Sequence, residues 1–379
     1  MSYALTPEQL EIRDAVARLC ERFGDDYWLK KDTEGGFPHE FHRAMAEGGW
    51  LGVAMPEEFG GSGLGITEAA VVMQAVAQSG AGFSGASAVH MNIFGLHPVV
   101  VFGTPEQQGR WLPPLIAGKE RACFAVTEPN TGLNTRALKT KADKRGDSYF
   151  VSGQKVWIST AQVAEKILLL AKTDAGLTLF YTDLDRKYVE VREIEKMGRH
   201  AVDSNQVFFD ALPVPEADRI GEEGKGFEYI LHGMNPERIL IGAEAIGTGR
   251  AALQRAAKYA KERIVFNRPI GQNQAIQHPL AKCWMQLEAA NLMVMKAATL
   301  FDQGKDCGVE ANSGKYLGAE AAFEACHTAM LTLGGMGYAQ EYHVERLLRE
   351  VLIPRTAPVS PHMILNYVAE QVLGLPKSY

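Results

Sequence analysis

Ile12, Val16, Leu19 and Phe23 recur at helical spacing, so the chain is expected to open with an amphipathic helix. Its start is marked by Thr6-Pro7-Glu8-Gln9: Thr6 can cap, Pro7 suits a first helical position, and Gln9 can close a capping box. Thr104-Pro105-Glu106-Gln107 repeats the device, and the glycines of Pro56 to Gly63 mark a loop between the two. The texture changes from about residue 121. Ser148 to Val151 and Lys155 to Ile158 flank Ser152-Gly153, which predicts a hairpin, and Ile167–Leu170, Leu177–Tyr181, Val189–Val191 and Val207–Phe209 are further strand-like runs. From about residue 226 the helical period returns in four stretches, roughly 227–264, 273–304, 309–333 and 341–373, which suggests an antiparallel bundle. The expected fold is mainly α with an inserted β domain. It comprises an N-terminal helical domain over 1–120, a small β-barrel or sandwich over 121–225 and a C-terminal four-helix bundle over 226–379.

Composition narrows the function more than the fold. The 379 residues are 46% hydrophobic and 22% charged, an ordinary globular balance, with a formal net charge of -6. No basic stripe points to nucleic acid. The N-terminus lacks the basic and apolar regions of a signal peptide, and no run of about 18 apolar residues predicts a membrane span. Five cysteines without a CxxC pair argue against a disulfide framework and for a reducing, cytoplasmic setting. His39 and His42 could share a helix face, but no third metal ligand lies nearby. There is no Walker motif, no Gly-x-Ser-x-Gly elbow and no dinucleotide fingerprint after a strand.

Five segments carry a family likeness. Residues 124–135 read Phe-Ala-Val-Thr-Glu-Pro-Asn-Thr-Gly-Leu-Asn-Thr, and residues 156–159 read Val-Trp-Ile-Ser. Asn235-Pro236-Glu237-Arg238 opens the bundle; Arg263 to Ile270 follows, with Gln274 beyond. Leu333-Gly334-Gly335-Met336-Gly337-Tyr338 precedes Glu345-Arg346 and Arg349. In this order and spacing they resemble the acyl-CoA dehydrogenases, whose segments run A-x-T-E-P-x-x-G-S-D, W-I-T/S, R-x-x-F-G-x-P-I…Q and L-G-G-x-G-Y…E-R…R-D. Among these enzymes the chain is most similar to the isovaleryl-type and long-chain-type subset.

The resemblance implies FAD as cofactor and an acyl-CoA as substrate in fatty acid metabolism, with electrons passed to an electron-transferring flavoprotein. The reaction removes an α-proton and a β-hydride to give a trans-2-enoyl-CoA, the flavin supplying the redox chemistry. By the same likeness Phe124, Val126, Thr127, Gly132, Leu133, Trp157 and Ser159 would contact the flavin. Thr127 would bond near N5 with Ser159 assisting, and Trp157 would cover one ring face. Phe266 and Ser360 would also contact the cofactor, while Arg263 and Gln274 would reach the FAD of a neighbouring subunit and the Gly334-Gly335 turn would pass its adenosine half, so the resemblance implies a homodimer or homotetramer. Leu133, Asn235, Arg238 and Pro358 would contact substrate. The base is a carboxylate: many relatives carry it in a C-terminal Y-E-G-T motif, where this chain reads Ala357-Pro358-Val359-Ser360, and a subset carries it on the first bundle helix, where this chain has Glu237. Three bland readings stand beside these. Trp157 could be a buried strand aromatic, Arg263 a solvated helix charge, and Glu237 a surface residue favoured in a first helical turn by the dipole.

The departures matter. Leu133 stands where serine is usual, Leu331 replaces a common glutamine and Asn267 a glycine. Pro358 is the most consequential. In relatives the backbone N–H at that position helps polarise the thioester carbonyl, and proline has none. Loss of one such donor typically costs about 2.7–4 kcal/mol of transition-state stabilisation. The sequence therefore leaves open other chemistry on the same fold (oxidase, desulfinase or enoyl-CoA reductase) and a non-catalytic flavin-binding subunit. Ala86 to Gly95 is expected near the acyl cavity, without deciding chain length or branching.

Overall fold

A computed structural model describes residues 4–378. Seven helices, Pro7–Cys20 (α1), Asp25–Glu34 (α2), His39–Glu47 (α3), Ile66–Val76 (α4), Gly82–His90 (α5), His97–Phe102 (α6) and Pro105–Ile116 (α7), precede the first strand. Both capping boxes form: the Thr6 and Thr104 hydroxyls accept from the amides of Gln9 and Gln107, whose side chains bond back to the cap amides. The stretch Ile66–Phe102 is long and apolar enough by composition to cross a membrane, but 62% of its most apolar window is buried inside the protein. It is broken at Gly80 and Gly82, both with positive φ. These are core helices.

The β unit holds Ala122–Ala125 (β1), Lys141–Arg145 (β2), Ser148–Ser159 (β3), Lys166–Thr173 (β4), Gly176–Asp183 (β5), Val189–Glu193 (β6), Ser204–Pro215 (β7) and Arg219–Ile220 (β8). The order is β6-β7-β3-β2-β4-β5-β8, with β1 parallel to β4. β4 is a nearly continuous apolar run because both of its faces are covered. Ile167 and Leu169 point into the unit's own core, while Leu168 and Leu170 pack with Trp111, Leu112 and Leu115 of α7. The predicted hairpin at Ser152-Gly153 does not form; Ser148 to Ser159 is one strand with a register shift between Val151 and Gly153. Gly153 marks a bulge, where a Cβ would sit 2.6–2.8 Å from Thr140. The turn lies instead at Gly146-Asp147, between β2 and β3.

Three long helices follow: Gly226–Glu262 (α8), Gln274–Asp302 (α9), entered through a short hairpin of Ile264–Val265 (β9) and Arg268–Pro269 (β10), and Gly308–Leu333 (α10). The fourth expected helix is broken into Val344–Glu350 (α11) and Pro361–Gln371 (α12). Pro354, Pro358 and Pro361 cannot donate the amide bonds a continuous helix needs. α8 and α10 approach closely: a Cβ on Gly318 would lie 3.1 Å from the Gly242 carbonyl. One apolar core runs through the N-terminal helices and the bundle. The Arg346 and Arg349 motif residues tie it together. Arg346 is buried, donating to Glu350 at 3.2 Å and to the Gly80 carbonyl at 2.6 Å, and Arg349 reaches Asp32 of α2 at 2.5 Å.

Candidate active site

The two segments expected to touch a flavin lie side by side. The Val156 amide donates to the Thr127 carbonyl at 3.0 Å. Beneath them, Lys155 is wholly buried and donates to the Val126 carbonyl at 2.9 Å and to Glu128 Oε1 at 3.0 Å. Glu128 also accepts the amides of Lys139 and Thr140, at 2.7 and 2.9 Å. Burial drags Lys155 down to about 8, opposed by Glu128, whose own carboxyl is held below the usual range by Thr140, Lys139 and Lys155 against burial. This clamp went unnoticed in the sequence. Its only signal was a charge inside the first flavin motif, Glu128, and one directly before the second, Lys155.

Trp157 is not a buried strand aromatic. A second register shift in β3 falls between Val156 and Ile158, so Trp157 is the bulged residue. Its φ of 61° is unusual for a bulky side chain, and it is 60% exposed. The bulge turns the indole off the sheet, with the partly exposed hydroxyl residues Thr127 and Ser159 nearby. A flat apolar face bordered by two hydroxyls fits an isoalloxazine ring. Phe124 is partly buried and Val126 buried in the core shared with α7, while Gly132 and Leu133 are exposed on the loop that follows.

Glu237 lies three turns inside α8 and partly buried, not in a first turn, so the helix-dipole explanation does not apply to it. Burial raises its pKa above the ordinary 4.5, and Glu244 adds to this, while His90, Arg238 and Lys315 oppose it. Asn235 accepts from Arg238 at 2.9 Å. Lys315 of α10 is 1% exposed and donates to the Val359 carbonyl at 3.0 Å. Burial lowers it to about 8, with Glu237 opposing. Lys315 thus pins the Ala357–Ser360 segment beside the Glu237 helix. In that segment the Ala357–Pro358 peptide is cis, Val359 has φ 61°, and the Ser360 hydroxyl is engaged as the cap of α12.

The remaining residues stand elsewhere. Arg263, Phe266, Gln274, Gly334 and Gly335 are all exposed around the far end of the bundle. From Glu237 to Arg263 along α8 is ~39 Å at 1.5 Å per residue. Phe266 and Asn267 form a two-residue hairpin turn with φ 51° and 62°, which explains the departure from glycine: asparagine tolerates the left-handed region. Asn267→Val is expected to cost about 1–2 kcal/mol and Asn267→Gly almost nothing, checked by thermal denaturation. In the Leu333–Tyr338 turn, Gly334 has positive φ and a Cβ on Gly337 would strike the Met330 carbonyl at 2.3 Å, whereas Gly335 faces open space. His42 bonds Asn92 at 3.2 Å.

Comparisons with known proteins place the chain in a family. Residues 6–119, 123–212 and 224–373 match the models of the N-terminal, middle and C-terminal domains of acyl-CoA dehydrogenases. The acyl-CoA dehydrogenase FadE12 of Mycobacterium tuberculosis is 36% identical, over 100% of this chain and 99% of its own. The 3-(aryl)acrylate reductase of Clostridium sporogenes is 35% identical, over 90% and 91%. Among solved structures, a glutaryl-coenzyme A dehydrogenase bound to glutaryl-CoA superposes with a TM-score of 0.95 at 28% identity, covering 100% of this chain and 98% of that one.

Proposed function

This chain belongs to the acyl-CoA dehydrogenase family, an FAD-dependent oxidoreductase family, and we propose that it oxidises an acyl-CoA thioester to the trans-2-enoyl-CoA with Glu237 as base. The observation that carries the reading is Glu237 itself: a partly buried carboxylate three turns into α8, with its pKa raised by burial above the ordinary 4.5. FAD supplies the hydride acceptor when bound. Thr127 and Ser159 would orient the ring and Trp157 would cover one of its faces. Glu237 takes the α-proton, and Arg238, Asn235 and the Lys315-anchored segment fix the helix and loop that flank the thioester. Pro358 offers no amide there, so carbonyl polarisation falls to other donors. The same departure, with a relative named as a reductase, keeps enoyl reduction as a second reading. The five buried, unpaired cysteines support a reducing compartment such as the cytoplasm.

The test is anaerobic titration of the purified yellow protein with straight, branched and aryl acyl-CoAs. Bleaching of the flavin, a trans-2-enoyl product and reoxidation by an electron-transferring flavoprotein are expected. Rapid oxygen consumption, or reduction of enoyl-CoA in the reverse sense only, would replace the dehydrogenase reading.

The bundle's far end supports an oligomer. Arg263 and Gln274 lie too far from Glu237 to serve the same chain's flavin, and Phe266 is 94% exposed, Tyr338 82% and Trp284 57%. Such apolar exposure fits a protein interface. A homodimer, or a homotetramer built from two, would bring this end to a neighbour's cofactor. Arg263→Ala is expected to weaken FAD retention by about ten-fold, as loss of a charge-assisted pyrophosphate contact does. Equilibrium dialysis reads this, and unchanged retention would remove Arg263 from the cofactor site.

A further inference from the structure

A guanidinium is bonded to the flavin segment with no carboxylate to pair it. Arg199 Nη2 donates to the Ser159 hydroxyl at 3.0 Å and to Ser204 at 2.9 Å, and Nη1 donates to Ser87 of α5 at 3.2 Å. These hydroxyls solvate the charge but do not neutralise it, and Arg199 joins no ion pair among the described residues. Burial holds its pKa below the ordinary 12.5, with Glu350, Asp203 and Glu244 opposing from further off, and an arginine keeps its proton in a protein all the same. Those three carboxylates are engaged elsewhere: Glu350 with Arg346 and Ser84, Asp203 with the Gln162 amide and Asn205, and Glu244 with His90. The fold also fixes where Arg199 stands. Its φ of 57° is a left-handed conformation uncommon outside glycine. The loop is pinned on both sides of it: Arg349 Nη1 donates to the Met197 carbonyl at 2.8 Å, and the His200 ring nitrogens lie 2.6 Å from the Asp32 carbonyl and 2.8 Å from that of Lys196. Backbone strain persists where surrounding contacts over-determine it, and it gathers at functional sites.

We propose that Arg199 is a positioning residue for the flavin: through Ser159 it turns a hydrogen-bond donor toward the ring, and its unpaired charge favours the reduced ring over the oxidised one. This rests on the placement of FAD against Thr127, Trp157 and Ser159. A hydroxyl that accepts from a guanidinium keeps its own proton to donate. In the dehydrogenase reading the β-hydride brings two electrons to the ring and the α-proton stays on Glu237, so the ring gains one negative charge. A fixed cation already in place stabilises that charge without reorganisation.

The experiment measures the midpoint potential of the FAD-loaded protein by equilibration with a reference dye, with no acyl-CoA present. Arg199→Gln, polar but neutral, is expected to shift the balance between oxidised and reduced ring about ten-fold toward oxidised, a fall of about 30 mV for a two-electron couple. Arg199→Lys keeps the charge and should stay near the wild-type potential. Arg199→Met serves as the neutral variant should the glutamine variant not fold. If neither folds, the wild-type protein is tested against free cofactor: it should bind reduced FAD more tightly than oxidised FAD, and the opposite order would overturn the proposal. A residue that only ties its loop to α5 would lower Tm or FAD retention and leave the potential unmoved. An unmoved potential in the neutral variant, or an equal fall in Arg199→Lys, overturns the proposal. The two readings fail separately. Normal bleaching by acyl-CoA with a potential that ignores Arg199 sinks this proposal alone; a potential that depends on Arg199, in a protein that no acyl-CoA reduces, sinks only the dehydrogenase reading.

Discussion

Glu237→Gln is expected to abolish nearly all flavin reduction by acyl-CoA, by about 10²–10⁴-fold, the usual contribution of a positioned general base. The variant keeps the shape of the side chain and removes the charge, so the protein should still fold, stay yellow and bind acyl-CoA. Full bleaching by the variant would move the base elsewhere, and no carboxylate stands at Pro358 to receive the role. The pH profile gives a second reading. Burial holds the Glu237 pKa above 4.5, and the base acts only when ionised. Activity should therefore rise with pH along an acid limb lying above that of an exposed glutamate. His90, Arg238 and Lys315 pull against burial, and Glu244 adds to it. His90 is raised too: burial works against its charge, but the bond and charge of Glu244 prevail, with Glu237 helping and Arg199 opposing. His90→Ala removes one stabilising cation, so its acid limb should shift further toward alkaline pH. An unmoved limb would show that His90 does not act on the base.

The fold and the site were legible to different depths, for physical reasons. Capping boxes are local chemistry, and both stand where Thr6 and Thr104 indicated. Periodicity placed the three long bundle helices closely and found β3 to β7, but it missed the short strands β1, β2 and β8. It misread Ser152-Gly153 as a turn because a glycine in a strand signals a turn and a bulge alike, and only the proximity of Thr140 distinguishes them. The fourth helix was over-extended although Pro354, Pro358 and Pro361 were in plain view; apolar spacing outweighed the missing amides. The motifs named the residues expected to meet ligand. Those that hold the motifs in place act across the chain: Lys155 bonds Glu128 27 positions away, Arg199 bonds Ser159 40 away and Lys315 bonds Val359 44 away, and no local pattern announces these pairings. A buried lysine becomes informative only when its partner is known.

Lys155→Met is the second large expected effect, and it acts through Glu128. The substitution leaves a carboxylate buried beside an apolar side chain, with only the Lys139 and Thr140 amides to hold it. Breaking one side of a buried pair typically costs about 3–5 kcal/mol, which should appear as a marked fall in Tm. Most of that cost is the orphaned charge, so the double variant Glu128→Gln with Lys155→Met should be more stable than Lys155→Met alone. Flavin retention should not recover with it. Lys155 also holds the Val126 carbonyl, and thereby fixes the Thr127 segment against the strand that presents Trp157 and Ser159. The double variant removes the charge penalty but not the slack between the two segments. Recovery of Tm without recovery of FAD affinity would separate the clamp's role in positioning the cofactor face from its role in stability. Full recovery of both would reduce it to a stability element alone.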